Sequence, residues 1–152
     1  MKKFLLRALF ILIPFLWSIY ASAQPTKVRE KDCSANCFST EVLSTEKLSA
    51  TCTSYEMRVS FSGACAYELS HFTVGLPCGE IQSLWNSQNW SQEVGMDPTT
   101  GMHGFKIDNI SNFGKGLLSS FTVRFTVCAA DENCAADLNC WQPLVAYKAS
   151  TC

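Results

Sequence analysis

Hydrophobic and polar residues alternate strictly in two segments of the chain. In "SFTVRFTVC" (120–128), Phe, Val, Phe and Val occupy every second position, and Thr, Arg and Thr lie between them. "SYEMRVSFS" (54–62) repeats this period with Tyr, Met, Val and Phe on one face. A period of two is typical of an antiparallel strand with one buried face. A third segment, "YELSHFTVGL" (67–76), places Phe72, Val74 and Leu76 on one face, and we predict that it pairs with 54–62 as a hairpin or close neighbour.

The remaining segments also favour strands over helices. "CFSTEV" (37–42), "FKIDNI" (105–110) and "PLVAYK" (143–148) are weaker strand candidates. Apart from a single helical turn that fits "CGEIQSLW" (78–85), no segment shows a sustained helical period. Residues 78–105 are rich in Asn, Gln, Ser, Gly and Trp, which predicts a long loop. The pattern predicts an all-β fold, an antiparallel β-sandwich.

The N-terminus has the three parts of a secretory signal peptide. Lys2, Lys3 and Arg7 precede a short apolar run (8–17), and the small residues of "ASA" (21–23) follow it. We predict cleavage before Gln24, because the run is shorter than the roughly 20 residues that a membrane anchor requires. The expected organisation is a signal peptide at 1–23, a polar leader at 24–36 and one domain at 37–152. The expected location is secreted, either extracellular or periplasmic, with no membrane segment after cleavage.

The charge of the predicted mature chain excludes two classes of partner. The signal holds three of the 12 Lys and Arg residues, which leaves 9 against 13 Asp and Glu. No basic stripe is present, so nucleic acid and anionic membranes are not expected to bind. The expected partner is an extracellular protein or polysaccharide, and no cofactor is expected.

Nine cysteines follow the predicted cleavage site, and their spacing decides between disulfides and a metal. Zinc modules use C-x2-C pairs, and none occurs in the sequence. In an exported protein we therefore expect disulfides, as four bridges and one odd thiol that is free or links two chains into a dimer. The spacing leaves the pairing open. The cysteines concerned are Cys33, Cys37, Cys52, Cys65, Cys78, Cys128, Cys134, Cys140 and Cys152.

The segment "DPTTGMHGFKID" (97–108) gathers acids, a lysine and a histidine, but it has the composition of a turn. Asp before Pro initiates β-turns, and the Gly at 101 permits a positive φ. Calcium bound by Asp97 and Asp108 is the less favoured alternative, since only one acid lies within the loop. His71 and His103 lack an adjacent nucleophile motif, and thiols in an oxidising compartment are not available as nucleophiles. We therefore expect no enzymatic activity and no catalytic residues.

Two tryptophans among polar amides offer a candidate binding site. In "SLWNSQNWSQ" (83–92), Trp85 and Trp90 could stack on sugar rings while Asn86 and Asn89 bind their hydroxyls. The alternative, which we favour, is that each indole packs against a sheet edge or a disulfide.

Four motifs occur in an order that resembles a known kind of module. They are "SH" at 70–71, "PCG" at 77–79, "DPTTG" at 97–101 and "YKA" at 147–149 with the final cysteine. Over about 52–152, the chain resembles a cysteine-rich extracellular β-module of secreted and surface proteins of bacteria, often part of long multi-domain chains. The resemblance implies no established activity. The sequence therefore predicts a non-enzymatic structural or interaction module at a cell surface or in an extracellular matrix, with a carbohydrate-binding module as the alternative.

Overall fold

A computed structural model describes residues 37–62 and 65–149, together with the backbone of 27–28. Nine strands and one short helix are present in these ranges. They are β1 (Lys27–Val28), β2 (Phe38–Lys47), β3 (Cys52–Phe61), β4 (Leu69–Gly75), β5 (Glu80–Asn86), β6 (Ser91–Asp97), β7 (Met102–Asp108), β8 (Ser120–Cys128), α1 (Glu132–Asn139) and β9 (Leu144–Ala149).

The strands form two sheets. Sheet A has the order β1-β9-β4-β7-β6 and sheet B the order β2-β3-β8-β5. All pairs are antiparallel except β1 with β9. The inward residues of β3, β4, β7, β8 and β9 form one core between the sheets, with Phe72, Phe105, Phe125 and Tyr147 among its most buried side chains. The predicted antiparallel β-sandwich is confirmed.

The arrangement of the strands differs from the sequence prediction in two respects. β3 and β4 do not form a hairpin, because they lie in different sheets and their apolar faces cover each other across the core. The segment 78–105 is not a loop, since it contains β5 and β6 and the start of β7. The helical turn predicted at 78–85 is likewise wrong, because β5 occupies most of that segment.

Two elements were not predicted. β1 lies within the supposed polar leader and pairs with the start of β9. Helix α1 begins after Asp131, whose side chain accepts a hydrogen bond from the backbone N–H of Cys134 at 2.9 Å. An Asp in this position satisfies one of the free N–H groups of the first helical turn.

Three disulfides connect the described residues. Cys52–Cys128 joins residues that face each other on β3 and β8. Cys78–Cys134 ties α1 to the segment before β5, and Cys37–Cys65 ties the start of β2 to the segment before β4. Cys140 carries a free, exposed thiol. Cys33 and Cys152 lie outside the described residues. The disulfide-stapled sandwich is thus confirmed, with three bridges in the described part.

Within the described ranges, no helix is long and apolar enough to cross a bilayer. The same ranges contain no cluster of three or more His, Cys, Asp and Glu side chains that could hold a metal ion.

Candidate functional site

The predicted tryptophan site is divided by the turn that links sheet B to sheet A. Asn86, the last residue of β5, is fully buried. Its Oδ1 accepts hydrogen bonds from the N–H groups of Gln88 and Trp90, and its Nδ2 donates to the Trp90 carbonyl. Asn89 is at the exposed tip of the turn, with φ of 55°. Asn86 therefore holds the turn together and does not face a ligand.

The two indoles of this segment point to different surroundings. Trp90 packs edge-on against Phe121 of the core, with ring centroids 5.0 Å apart. Trp85 lies on the face of sheet B that points away from the core, where it is 43% exposed. The Arg124 guanidinium lies 5.2 Å from its ring centroid and also pairs with Glu56. The four predicted residues do not form one binding surface, and only Trp85 offers an exposed aromatic ring.

The predicted turn after Asp97 is confirmed, and its carboxylate is buried. Oδ1 accepts a hydrogen bond from the Thr99 N–H, and Oδ2 accepts from the Thr73 and Thr100 hydroxyls at 2.8 and 2.7 Å. Asp108, the other proposed calcium ligand, is 2.8 Å from Nζ of Lys106. Both carboxylates are thus occupied by donors of the protein itself.

The contact between Asp97 and Thr73 requires a bend in the β6–β7 hairpin. Asp97 pairs with Met102, whereas Thr73 pairs with Lys106. Met102 and Lys106 are four residues apart on β7, which corresponds to about 13 Å along a straight strand. This distance is too long for a hydrogen bond between the side chains of Asp97 and Thr73. The end of the hairpin, residues 97–102 (the hairpin tip), must therefore fold over the outer face of β4. The bend coincides with Gly104, where any Cβ would collide with the Val74 carbonyl oxygen.

The hairpin tip encloses a histidine that was considered as a site residue. His71 is 6% exposed, and its Nε2 lies 3.8 Å from Oδ2 of Asp97 without a hydrogen-bond partner among the described residues. Burial lowers the pKa of His71, and the nearby Asp97 carboxylate opposes this shift only in part. Burial acts to raise the pKa of Asp97, but the hydrogen bonds from Thr100 and Thr73 outweigh it, so this pKa lies below its ordinary value. His71 is therefore favoured in its neutral form beside a charged carboxylate.

A groove of about 650 Å³ lies at the end of the sandwich where β4 ends and where β7 and β9 begin. We call it the end groove. The hairpin tip and its neighbour His103 form one wall, and the segment between α1 and β9 contributes another. Its lining consists of nine described residues: Gly75, Leu76, Pro77, Gly101, Met102, His103, Trp141, Gln142 and Leu144.

Trp141 contributes an indole to the end groove, and this indole packs against two aromatic rings of the core. It contacts Tyr55 edge-on at 5.2 Å between centroids and Phe125 at 6.2 Å. His103 and Gln142 are exposed at the rim. Cys140, which precedes Trp141 in the chain, carries a free thiol. The groove residues come from three distant segments, so no local motif could have indicated the site.

Comparison of the chain with models of protein families, with curated proteins and with solved structures finds no match.

Proposed function

We propose that the mature chain is an exported, non-enzymatic interaction module that binds an extracellular protein or polysaccharide through the end groove. The observation that carries the proposal is the groove itself. Its volume of about 650 Å³ falls within the range of ligand sites, and it combines a fixed indole with polar side chains at the rim. Export rests on the predicted signal peptide, and the disulfides fit an oxidising compartment.

We propose a non-enzymatic module because most of the cysteine and histidine side chains that could act as nucleophile or base are bonded or buried. Six of the seven cysteines in the described residues are held in disulfides, which removes their thiolates as nucleophiles, and Cys140 is the one that keeps a free thiol. His71 is enclosed beneath the hairpin tip. A cell-surface or matrix setting follows from the resemblance to cysteine-rich extracellular β-modules and is part of the same proposal.

The proposal is tested by binding of the labelled mature protein to extracellular polymer and envelope fractions. His103→Trp would place a large side chain at the exposed rim and is expected to reduce the bound fraction at least about fivefold. The matched control is Trp85→Phe on the far face of sheet B, which should leave binding unchanged. Equal binding by the wild type and His103→Trp would contradict the proposal.

A second candidate function is carbohydrate binding on the outer face of sheet B. The specific observation in its favour is Trp85, which is 43% exposed beside Arg124. In this case the result of the same experiment is reversed, since Trp85→Phe weakens binding and His103→Trp does not.

A further inference from the structure

The ligand class of the end groove follows from the side chains that line it. None of its nine lining residues is Lys, Arg, Asp or Glu. A charged ligand in this groove would lose hydration without gaining a Lys, Arg, Asp or Glu partner, which is costly. The lining therefore favours an uncharged ligand.

The apolar part of the groove favours a ring with a flat hydrophobic face. Edge-on contacts with Tyr55 and Phe125 hold the Trp141 indole in one orientation, so little side-chain freedom is lost on binding. Leu144 and the buried Met102 continue the apolar surface beside it. The C–H face of a pyranose ring matches such a platform, because aromatic rings combine large apolar area with defined geometry.

The rim favours a ligand that carries several hydroxyl groups. The rim holds the imidazole of His103 and the amide of Gln142, and the imidazole nitrogens can form hydrogen bonds with a hydroxyl. Both side chains are exposed at the groove. A hydroxyl is both donor and acceptor, so one sugar ring can contact the Trp141 indole and the His103 imidazole together.

From this chemistry we infer that the end groove is a binding site for a sugar ring of a neutral oligosaccharide or polysaccharide. The inference rests on the proposed function and specifies its ligand. The exposed Gly101 adds no side chain to the groove wall, which leaves room for a ring there. Ligands with carboxylate or sulfate groups are expected to bind at least about tenfold more weakly than neutral ones of equal length.

The test is a titration of the mature protein with neutral cello-, chito- and malto-oligosaccharides and with acidic oligogalacturonate, measured by calorimetry. His103→Ala and Trp141→Phe should each weaken binding of a neutral oligosaccharide about tenfold or more. His103→Ala keeps the result interpretable if Trp141→Phe does not fold, because His103 is exposed. The control Trp85→Phe should bind like the wild type.

Four outcomes overturn the inference, and the last two show whether the proposed function fails with it. Binding of a neutral oligosaccharide that survives both groove substitutions shows that the sugar binds elsewhere. Binding of oligogalacturonate in preference to neutral sugars contradicts the ligand class. If no saccharide binds but peptides from an uncharged peptide library do, and His103→Ala abolishes that binding, the inference fails while the proposed function stands. If neither saccharides nor peptides bind, both fail.

Discussion

The carboxylate of Asp97 holds the hairpin tip over β4, and its substitution by Asn is expected to destabilise the protein. The side chain of Asp97 is 2% exposed and accepts three hydrogen bonds, two from hydroxyls and one from a backbone N–H. Asp97→Asn preserves the shape of the side chain. It removes the charge and replaces one acceptor oxygen with an amide donor.

The magnitude follows from the hydrogen bonds. A bond to a charged group contributes about 1.5–3 kcal/mol, against about 0.5–1.5 kcal/mol between neutral groups. Three such bonds are weakened, and the hydroxyls of Thr73 and Thr100 can rotate to accept from the new amide. We therefore expect a loss of about 2–3 kcal/mol in the free energy of unfolding, or about 6–10 °C in Tm for a domain of this size.

The assay is chemical denaturation at pH 7, followed by tryptophan fluorescence. Glu93→Gln is the matched control, because this carboxylate is 62% exposed and its ion pair within the described residues is with Lys106. It should change stability by less than about 0.5 kcal/mol. In a double-mutant cycle with Thr73→Val, the coupling energy with Asp97→Asn should be about 1 kcal/mol or more. If Asp97→Asn is no more destabilising than Glu93→Gln, the hairpin tip is not held by this carboxylate.

Three further predictions concern the pH dependence, the bend and the disulfides. Folding lowers the pKa of His71, so the unfolded chain binds protons more readily than the folded chain. The free energy of unfolding should therefore fall as the pH drops below 6.5. In His71→Gln, urea denaturation should no longer show this decrease. Gly104→Ala should cost about 2–4 kcal/mol in the same denaturation assay, because its methyl group meets the backbone of β4, and a cost below about 1 kcal/mol would contradict the bend. Replacing Cys52 and Cys128 by Ala opens a loop with a sequence separation of 76, so the free energy of unfolding should fall by about 4 kcal/mol. Alkylation of the folded wild type should modify the free thiol of Cys140. An unchanged free energy of unfolding, or a Cys140 that does not react, would argue against this disulfide pairing.

The sequence predicts the strands whose two faces differ in environment. In β3 and β8 one face is buried and the other is open, so alternation is visible in the residues. β5 and β6 are edge strands with mostly exposed residues, and their polar composition is that of a loop. β4 is buried on both faces because the hairpin tip covers its outer side, which explains why His71 and Thr73 are buried within a strand.

The sequence predicts only those parts of the candidate site that depend on residues adjacent in the chain. The turn at 97–101 follows from Asp-Pro and Gly, which act locally. The contact of Asp97 with β4 depends on a bend in the hairpin and on a strand more than 20 residues away. The end groove depends on three strand ends meeting, and Trp141 becomes part of it only because α1 and β9 place it there. Such long-range arrangements leave no periodic signal in the sequence.

The proposed location of the ligand site is tested most directly by nuclear magnetic resonance of the ¹⁵N-labelled protein from residue 24 onward, titrated with the neutral oligosaccharides. We predict that chemical-shift changes cluster at the backbone amides of 101–103 and at the indole N–H of Trp141. The indole N–H of Trp85 should stay unchanged. Changes confined to Trp85 and Arg124 on sheet B, with none around the end groove, would contradict the account.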